Sequence, residues 1–220
     1  MTSSHLNHNK LWLADIFWDT GAIQFGSFTL GKTVRNSPIY IDAKLLISKP
    51  TALQLSAKII SDEIKTSQTK RKRQIQKFNA IAGVPIGGLH IATALSLEIN
   101  VPLLYVRPTI ADVSENASYI EGRYIPGQTA VLVDDLATGG SSLIGTADRL
   151  RDAGILVNDA IVLIDREQGA KYKLNKIGIK LHSILTLDII IKYLHANKKI
   201  NDEDFHKTQD YLNREKMETD

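Results

Sequence analysis

Residues 131–143 read VLVDDLATGGSSL, an apolar strand that ends on two adjacent carboxylates, Asp134 and Asp135. A turn of small residues follows, Ala137-Thr138-Gly139-Gly140-Ser141-Ser142, and then a helix begins. Glycines let the backbone curl until several N–H groups point at one spot. The Thr and Ser hydroxyls add donors, and a helix N-terminus adds partial positive charge, so the turn suits a phosphate dianion. Two carboxylates beside such a nest repel the phosphate unless they serve another part of the ligand, and a pair of sugar hydroxyls would suit them. A lone Asp-Asp pair would read as a strand end capping the next helix. The complete order of strand, acid pair, TGGSS turn and helix does not. Neither a G-x-x-x-x-G-K-[ST] loop nor a G-x-G-x-x-G after a strand occurs in the chain.

Outward from this stretch the same alternation repeats. Residues 79–84 (NAIAGV) form a short apolar run, followed by a Gly-Gly turn and the helical pattern HIATALSLE. Further strands are predicted over 101–107, 130–135, 158–166 and 179–187, with a helix over 141–154. Short, nearly continuous apolar strands joined by helices indicate a parallel sheet covered on both faces, the α/β class, with ligands beyond the carboxyl ends of the strands. Upstream the pattern predicts an amphipathic helix around Leu11 to Trp18, a hairpin over 24–42 and a helix after Pro50. Residues 188–220 read as a polar helical extension.

Composition narrows the classes that remain. The chain has 220 residues, 43% hydrophobic and 23% charged, which fits one folded domain rather than a disordered or fibrous chain. Without cysteine, disulfides, thiolate metal sites and thiol nucleophiles are excluded, and a reducing compartment is expected. No apolar run approaches the roughly 18 residues of a membrane span, and Asp15 interrupts the N-terminal stretch, so no secretory leader is expected. The net charge is +3, yet Lys70, Arg71, Lys72, Arg73 and Lys77 alone exceed it, and without them the chain carries −2. With no interleaved aromatics, this segment within 66–79 reads as a solvated linker between helix and strand; nucleic acid is not an expected partner.

VLVDDLATGGSS resembles the phosphoribosyl-pyrophosphate motif of type I phosphoribosyltransferases. Three further stretches extend the resemblance to the orotate phosphoribosyltransferases: FGSFTLGKTVRNSPIYID (25–42), IAGVPIGGLHIATALSLEINVPLLYVR (81–107) and DAIVLIDREQGA (159–170). With YIEGRYIPGQ before the motif, it spans roughly residues 20 to 195. It implies an α/β type I phosphoribosyltransferase fold: a five-stranded parallel core sheet flanked by helices, under an N-terminal hood. The division is then an N-terminal helix and hood over 1–48, the core over 49–187 and the helical extension over 188–220. The implied protein is a cytoplasmic, homodimeric, Mg²⁺-dependent enzyme making orotidine 5′-monophosphate and pyrophosphate from orotate and phosphoribosyl pyrophosphate. No residue is assigned as a dedicated metal ligand, because Mg²⁺ would be held mainly by substrate oxygens.

The resemblance also assigns roles. Asp134 and Asp135 would hold the ribose hydroxyls as the catalytic pair, and Ala137, Thr138, Gly139, Gly140, Ser141 and Ser142 the 5′-phosphate. Gly83, Val84, Pro85, Ile86 and Gly87 would form the pyrophosphate loop, and Arg107 would meet the same group. Read alone, GVPIGG is equally a plain strand–helix connection, and Arg107 a strand-end arginine in a surface salt bridge. Arg166 would meet the carboxylate of orotate, a task that suits a bidentate guanidinium fork. Ser37 and Tyr40, with Pro38 and Ile39, match the base-proximal stretch. There the family pattern L-K-S-G-x-x-S-P is lengthened by one residue, leaving Lys32 as its lysine.

One departure bears on mechanism. The family follows its strand-end arginine with R-K-x-x-K-x-H, whereas here Pro108, Ala111 and Val113 stand where lysine, lysine and histidine are expected. Residues 108–120 contain no Lys, Arg or His and carry Asp112 and Glu115. Negative charge grows on departing pyrophosphate, so cations near it accelerate the step. Three readings follow: an orotate enzyme using another residue, a phosphoribosyltransferase for a different base, or a regulatory protein that binds phosphoribosyl pyrophosphate without turnover.

Overall fold

The computed structural model describes residues 3–30, 34–71, 74–108 and 119–219. Its centre is a six-stranded sheet built from β3 (Ala80–Gly83), β4 (Leu103–Val106), β5 (Ile120–Glu121), β6 (Thr129–Ala137), β7 (Leu156–Asp165) and β8 (Lys180–Thr186). The strand order is β5-β4-β3-β6-β7-β8. All neighbours run parallel except β5, which pairs antiparallel with β4. The five parallel strands expected from the sequence are present, and β5 adds a short edge that two residues could not announce.

The near-continuous apolar runs are explained by cover on both sides. Along β6 and β7, Val131, Val133, Ile161 and Leu163 enter one buried cluster, while Ala130, Leu132, Ala160 and Val162 enter another. Successive side chains of a strand point to opposite faces, so a sheet packed on both must be apolar at every position. The first cluster is closed by α1 (Ser3–Asp19), α2 (Pro50–Thr69), α3 (Gly87–Ile99) and α6 (Leu187–Ala196). The second is closed by α4 (Ser141–Asp152), whose Leu143, Ala147 and Leu150 form an apolar stripe, and by α5 (Ala170–Lys176). The antiparallel hairpin of β1 (Ile23–Leu30) and β2 (Val34–Ile41) stands apart from the main sheet, and α7 (Asp202–Thr219) packs against β2.

Several sequence expectations change. Gly87 and Gly88 are not a turn before a helix but its first turn. A Cβ at Gly87 would collide with the Asp135 carboxylate, and one at Gly88 with the Val133 carbonyl. The glycines permit close approach, not a reversal of chain direction. The segment 66–79 is not wholly a linker: α2 continues to Thr69, Ile75 is fully buried, and the Gln76 N–H donates to Asp159 Oδ2 at 2.9 Å. Helix α5 was not foreseen, since seven residues are too short to display a period. Among the described residues no helix is long and apolar enough to cross a membrane.

Candidate active site

A cleft of about 670 Å³ opens beyond the carboxyl ends of β3, β4 and β6, where parallel sheets place ligands. Asp134 and Asp135 lie in it with the Pro85-Ile86-Gly87 turn, Arg107, and Ser142 of α4. Asp134 is 6% exposed, and its Oδ1 accepts the Asp135 N–H at 2.9 Å. Burial pushes the Asp134 carboxyl well above the usual carboxylate range and the adjacent Asp135 pushes it the same way, while the Gly88 N–H at the start of α3 opposes both. The peptide between Pro85 and Ile86 is cis.

The TGGSS turn is anchored from below. Gly140 precedes α4 at φ 79°, a left-handed conformation, and a Cβ there would sit 3.2 Å from Ala170 Cα. The Thr138 carbonyl accepts from the Ala170 N–H at 3.2 Å. The unforeseen α5 therefore supports the TGGSS turn from the neighbouring strand's connection. Arg107 lies in the cleft and also forms an ion pair with Glu121 Oε1 at 2.9 Å, the strand-end salt bridge that its residue type alone suggested.

A second polar cluster joins parts of the chain far apart in sequence. Arg166, at the end of β7, is 2% exposed; its Nη2 donates to Ser37 Oγ at 3.0 Å and its Nε to Gln168 Oε1 at 2.9 Å. Gln168 Nε2 in turn donates to the Tyr211 hydroxyl at 2.8 Å and to Glu215 Oε2 at 2.7 Å. Burial lowers the pKa of Arg166, opposed by Tyr211 and Glu215 on α7. A larger cavity of about 840 Å³ lies along β7, β8 and α5 and shares no lining residue with the acid-pair cleft. The smaller cleft is the candidate site, because the acid pair, the Pro85-Ile86-Gly87 segment, Arg107 and Ser142 meet there.

Residues 46–190 match the phosphoribosyl transferase domain. The orotate phosphoribosyltransferase of Chlamydia pneumoniae is 34% identical over 190 residues, covering 86% of each chain. The crystal structure of orotate phosphoribosyltransferase from Aeropyrum pernix superposes with a TM-score of 0.71 at 32% identity, covering 83% of this chain and 98% of that one. The chain belongs to the orotate phosphoribosyltransferase family. Bovine uridine 5′-monophosphate synthase is 35% identical over 195 residues, and this orotate phosphoribosyltransferase-family chain spans 39% of that protein's length.

For this family member the structure brings together Asp134, Asp135, Pro85, Ile86, Gly87, Arg107 and Ser142 in one cleft. It gathers Ser37 with Arg166 elsewhere, at the seam between hairpin and sheet. Tyr40 lies on β2, with its ring 5.6 Å from that of Phe28. Lys32 and residues 109–118 fall outside the described residues. Sequence reasoning missed Lys44 and Arg149, which also line the cleft. Extending the α4 face from Ser142 by three, four and seven residues reaches Gly145, Thr146 and Arg149, a signal that could have found the arginine. Lys44 sits in a 3-10 turn (Ala43–Ser48) that carries no periodic signal. Gln168, Tyr211 and Glu215 were missed because their roles exist only through Arg166.

Proposed function

We propose that the chain transfers the phosphoribosyl group of phosphoribosyl pyrophosphate to orotate, giving orotidine 5′-monophosphate and pyrophosphate in pyrimidine nucleotide biosynthesis. The observation that carries this reading is a single cleft in which the buried Asp134 and the half-buried Asp135 meet the Pro85-Ile86-Gly87 segment, Arg107 and Ser142 of the TGGSS turn. Asp134 and Asp135 accept hydrogen bonds from the ribose hydroxyls, which offset the burial that disfavours the Asp134 carboxylate. The turn from Ala137 to Ser142 takes the 5′-phosphate, and the 84–87 turn with Arg107 takes the pyrophosphate. Held at both ends, the sugar presents C1 to the base. The C1–oxygen bond breaks with its electron pair going to pyrophosphate. The acceptor's ring nitrogen supplies the pair for the new C1–N bond, and its proton passes to solvent. Arg166, fixed by Ser37 and Gln168, provides the cation for the orotate carboxylate.

Mg²⁺ fits this donor chemistry, since the ion takes one or two carboxylates together with phosphate oxygens and water. Substrate oxygens and water would mainly hold it beside the acid pair, and when bound it would neutralise charge on the pyrophosphate. A homodimer in the cytoplasm completes the proposal, supported by the family resemblance and, for location, by the absence of cysteine. The acidic stretch 108–120 favours one second reading, a phosphoribosyl-pyrophosphate-binding regulator without turnover.

A pyrophosphate-release assay with orotate, phosphoribosyl pyrophosphate and Mg²⁺ separates the two. Release by the wild type, reduced at least roughly 100-fold in Asp135→Asn, is expected. Tight donor binding with no release from orotate would overturn the enzyme reading. Release with another nucleobase but not with orotate would overturn the choice of acceptor.

A further inference from the structure

The polar cluster around Arg166 holds a run of hydrogen bonds whose direction is dictated by its two ends. A guanidinium carries only donors, and the Glu215 carboxylate is an acceptor. Gln168 stands between them and is buried. Its Oε1 accepts from Arg166 Nε at 2.9 Å, while its Nε2 donates to Glu215 Oε2 at 2.7 Å and to the Tyr211 hydroxyl at 2.8 Å. A reversed amide would set N–H against N–H at Arg166 and oxygen against oxygen at Glu215. Away from water both mismatches are heavily penalised, so the amide has one orientation.

Helix α7 supplies both acceptors from one face. Thr208, Tyr211 and Leu212 are buried and Glu215 is half-buried, at positions three, four and seven residues beyond Thr208. The helix packs against β2, which carries Ser37. Ser37 Oγ accepts from Arg166 Nη2 at 3.0 Å and donates to the Ile39 carbonyl at 2.7 Å, and the Tyr211 hydroxyl faces both Ser37 and Arg166. A guanidinium is planar, so holding Nε and Nη2 also fixes where Nη1 lies. Gln168 and Ser37 thus set the direction in which Arg166 offers its fork, and α7 bears on both.

From this geometry we infer that Tyr211 and Glu215 of α7 are positioning residues for acceptor selection: by fixing the Gln168 amide they aim the Arg166 guanidinium at the acceptor's carboxylate. The inference rests on the reading of Arg166 as the cation for that carboxylate. Neither α7 residue touches the acceptor in this account; both act through Gln168. Recognition of the carboxylate, rather than of the pyrimidine ring, is then what α7 controls.

Calorimetric titration of the full chain with orotidine 5′-monophosphate, and separately with uridine 5′-monophosphate, isolates that contribution, because the second nucleotide lacks only the carboxylate. The wild type is expected to bind the first roughly 10- to 100-fold more tightly, the contribution of one charged hydrogen-bonded pair. Tyr211→Phe/Glu215→Leu removes both acceptors; it should shrink the ratio at least about fivefold and leave uridine 5′-monophosphate affinity within about twofold. Tyr211→Phe/Glu215→Gln returns one acceptor oxygen without its charge and should recover part of the ratio. A ratio unchanged in the first double variant but abolished in Arg166→Met would overturn the inference and leave the reading of Arg166 intact. Equal loss of both nucleotides would also overturn it, making α7 a brace for the whole fold. A wild type that binds the two nucleotides equally would refute the reading of Arg166 itself, and the inference with it.

Discussion

Asp134 shows how a carboxylate is held against its own preference. Buried in β6 and next to Asp135, its carboxyl has a pKa raised well above the ordinary value, so the folded chain binds that proton more tightly than the unfolded chain. The sign follows: folding is favoured at low pH, and stability is lost as pH rises through the folded-state pKa. Asp134→Asn keeps an oxygen to accept the Asp135 and Gly88 N–H groups and removes the charge. The variant should melt at least roughly 2–4 °C higher than the wild type at pH 8, the shift that 1 kcal/mol produces in a chain of this size. The gain should shrink toward pH 5, and pyrophosphate release should be lost. Melting curves at the two pH values check this; a variant less stable than the wild type at pH 8 would contradict it. The acid pair was legible from 131–143 because strand, acids and turn are contiguous. The opposing pressure on Asp134 was not, because it depends on what the sheet buries.

At the scale of elements, the junction of α3 with β6 sets the cleft. The helix begins close enough to the strand for the Gly88 N–H to reach Asp134, leaving no room for a Cβ against the Val133 carbonyl. Gly88→Ala should therefore destabilise the fold by about 1–3 kcal/mol through forced separation of helix and strand. It should also reduce turnover, because Asp134 loses its approaching N–H. A lowered urea midpoint with unchanged slope would register the first effect, and an unaltered midpoint would refute it. The sequence pattern placed α3 and β6 as elements but read Gly87-Gly88 as a turn. Two glycines before a helical period look alike whether they serve a reversal or a close contact. Only the partner across the gap, residues 133–135, distinguishes the two.

At the scale of the whole molecule, Arg166 ties three regions together: Ser37 of the hairpin, Gln168 after β7, and Tyr211 and Glu215 of α7. The family match covers residues 46–190, so both Ser37 and α7 lie outside the common domain. Tyr211→Phe removes a hydroxyl from this cluster and should cost about 1 kcal/mol of stability. It should raise KM for orotate several-fold and leave KM for phosphoribosyl pyrophosphate unchanged, which initial-rate kinetics with each substrate varied would read. Equal changes in both constants would show that α7 acts on the whole fold rather than on the acceptor side. The sequence alone determined the five parallel strands, the helices around them other than α5, the acid pair and the TGGSS turn. Each of these is written within a few consecutive residues, as a period of two, a helical period or a turn chemistry. The tertiary structure alone decided that Ser37 meets Arg166 across 129 positions and that Arg149 bonds the Arg107 carbonyl across 42. Those contacts follow from strand order and from which helix covers which face, and the long-range packing that sets them is not encoded in any local spacing.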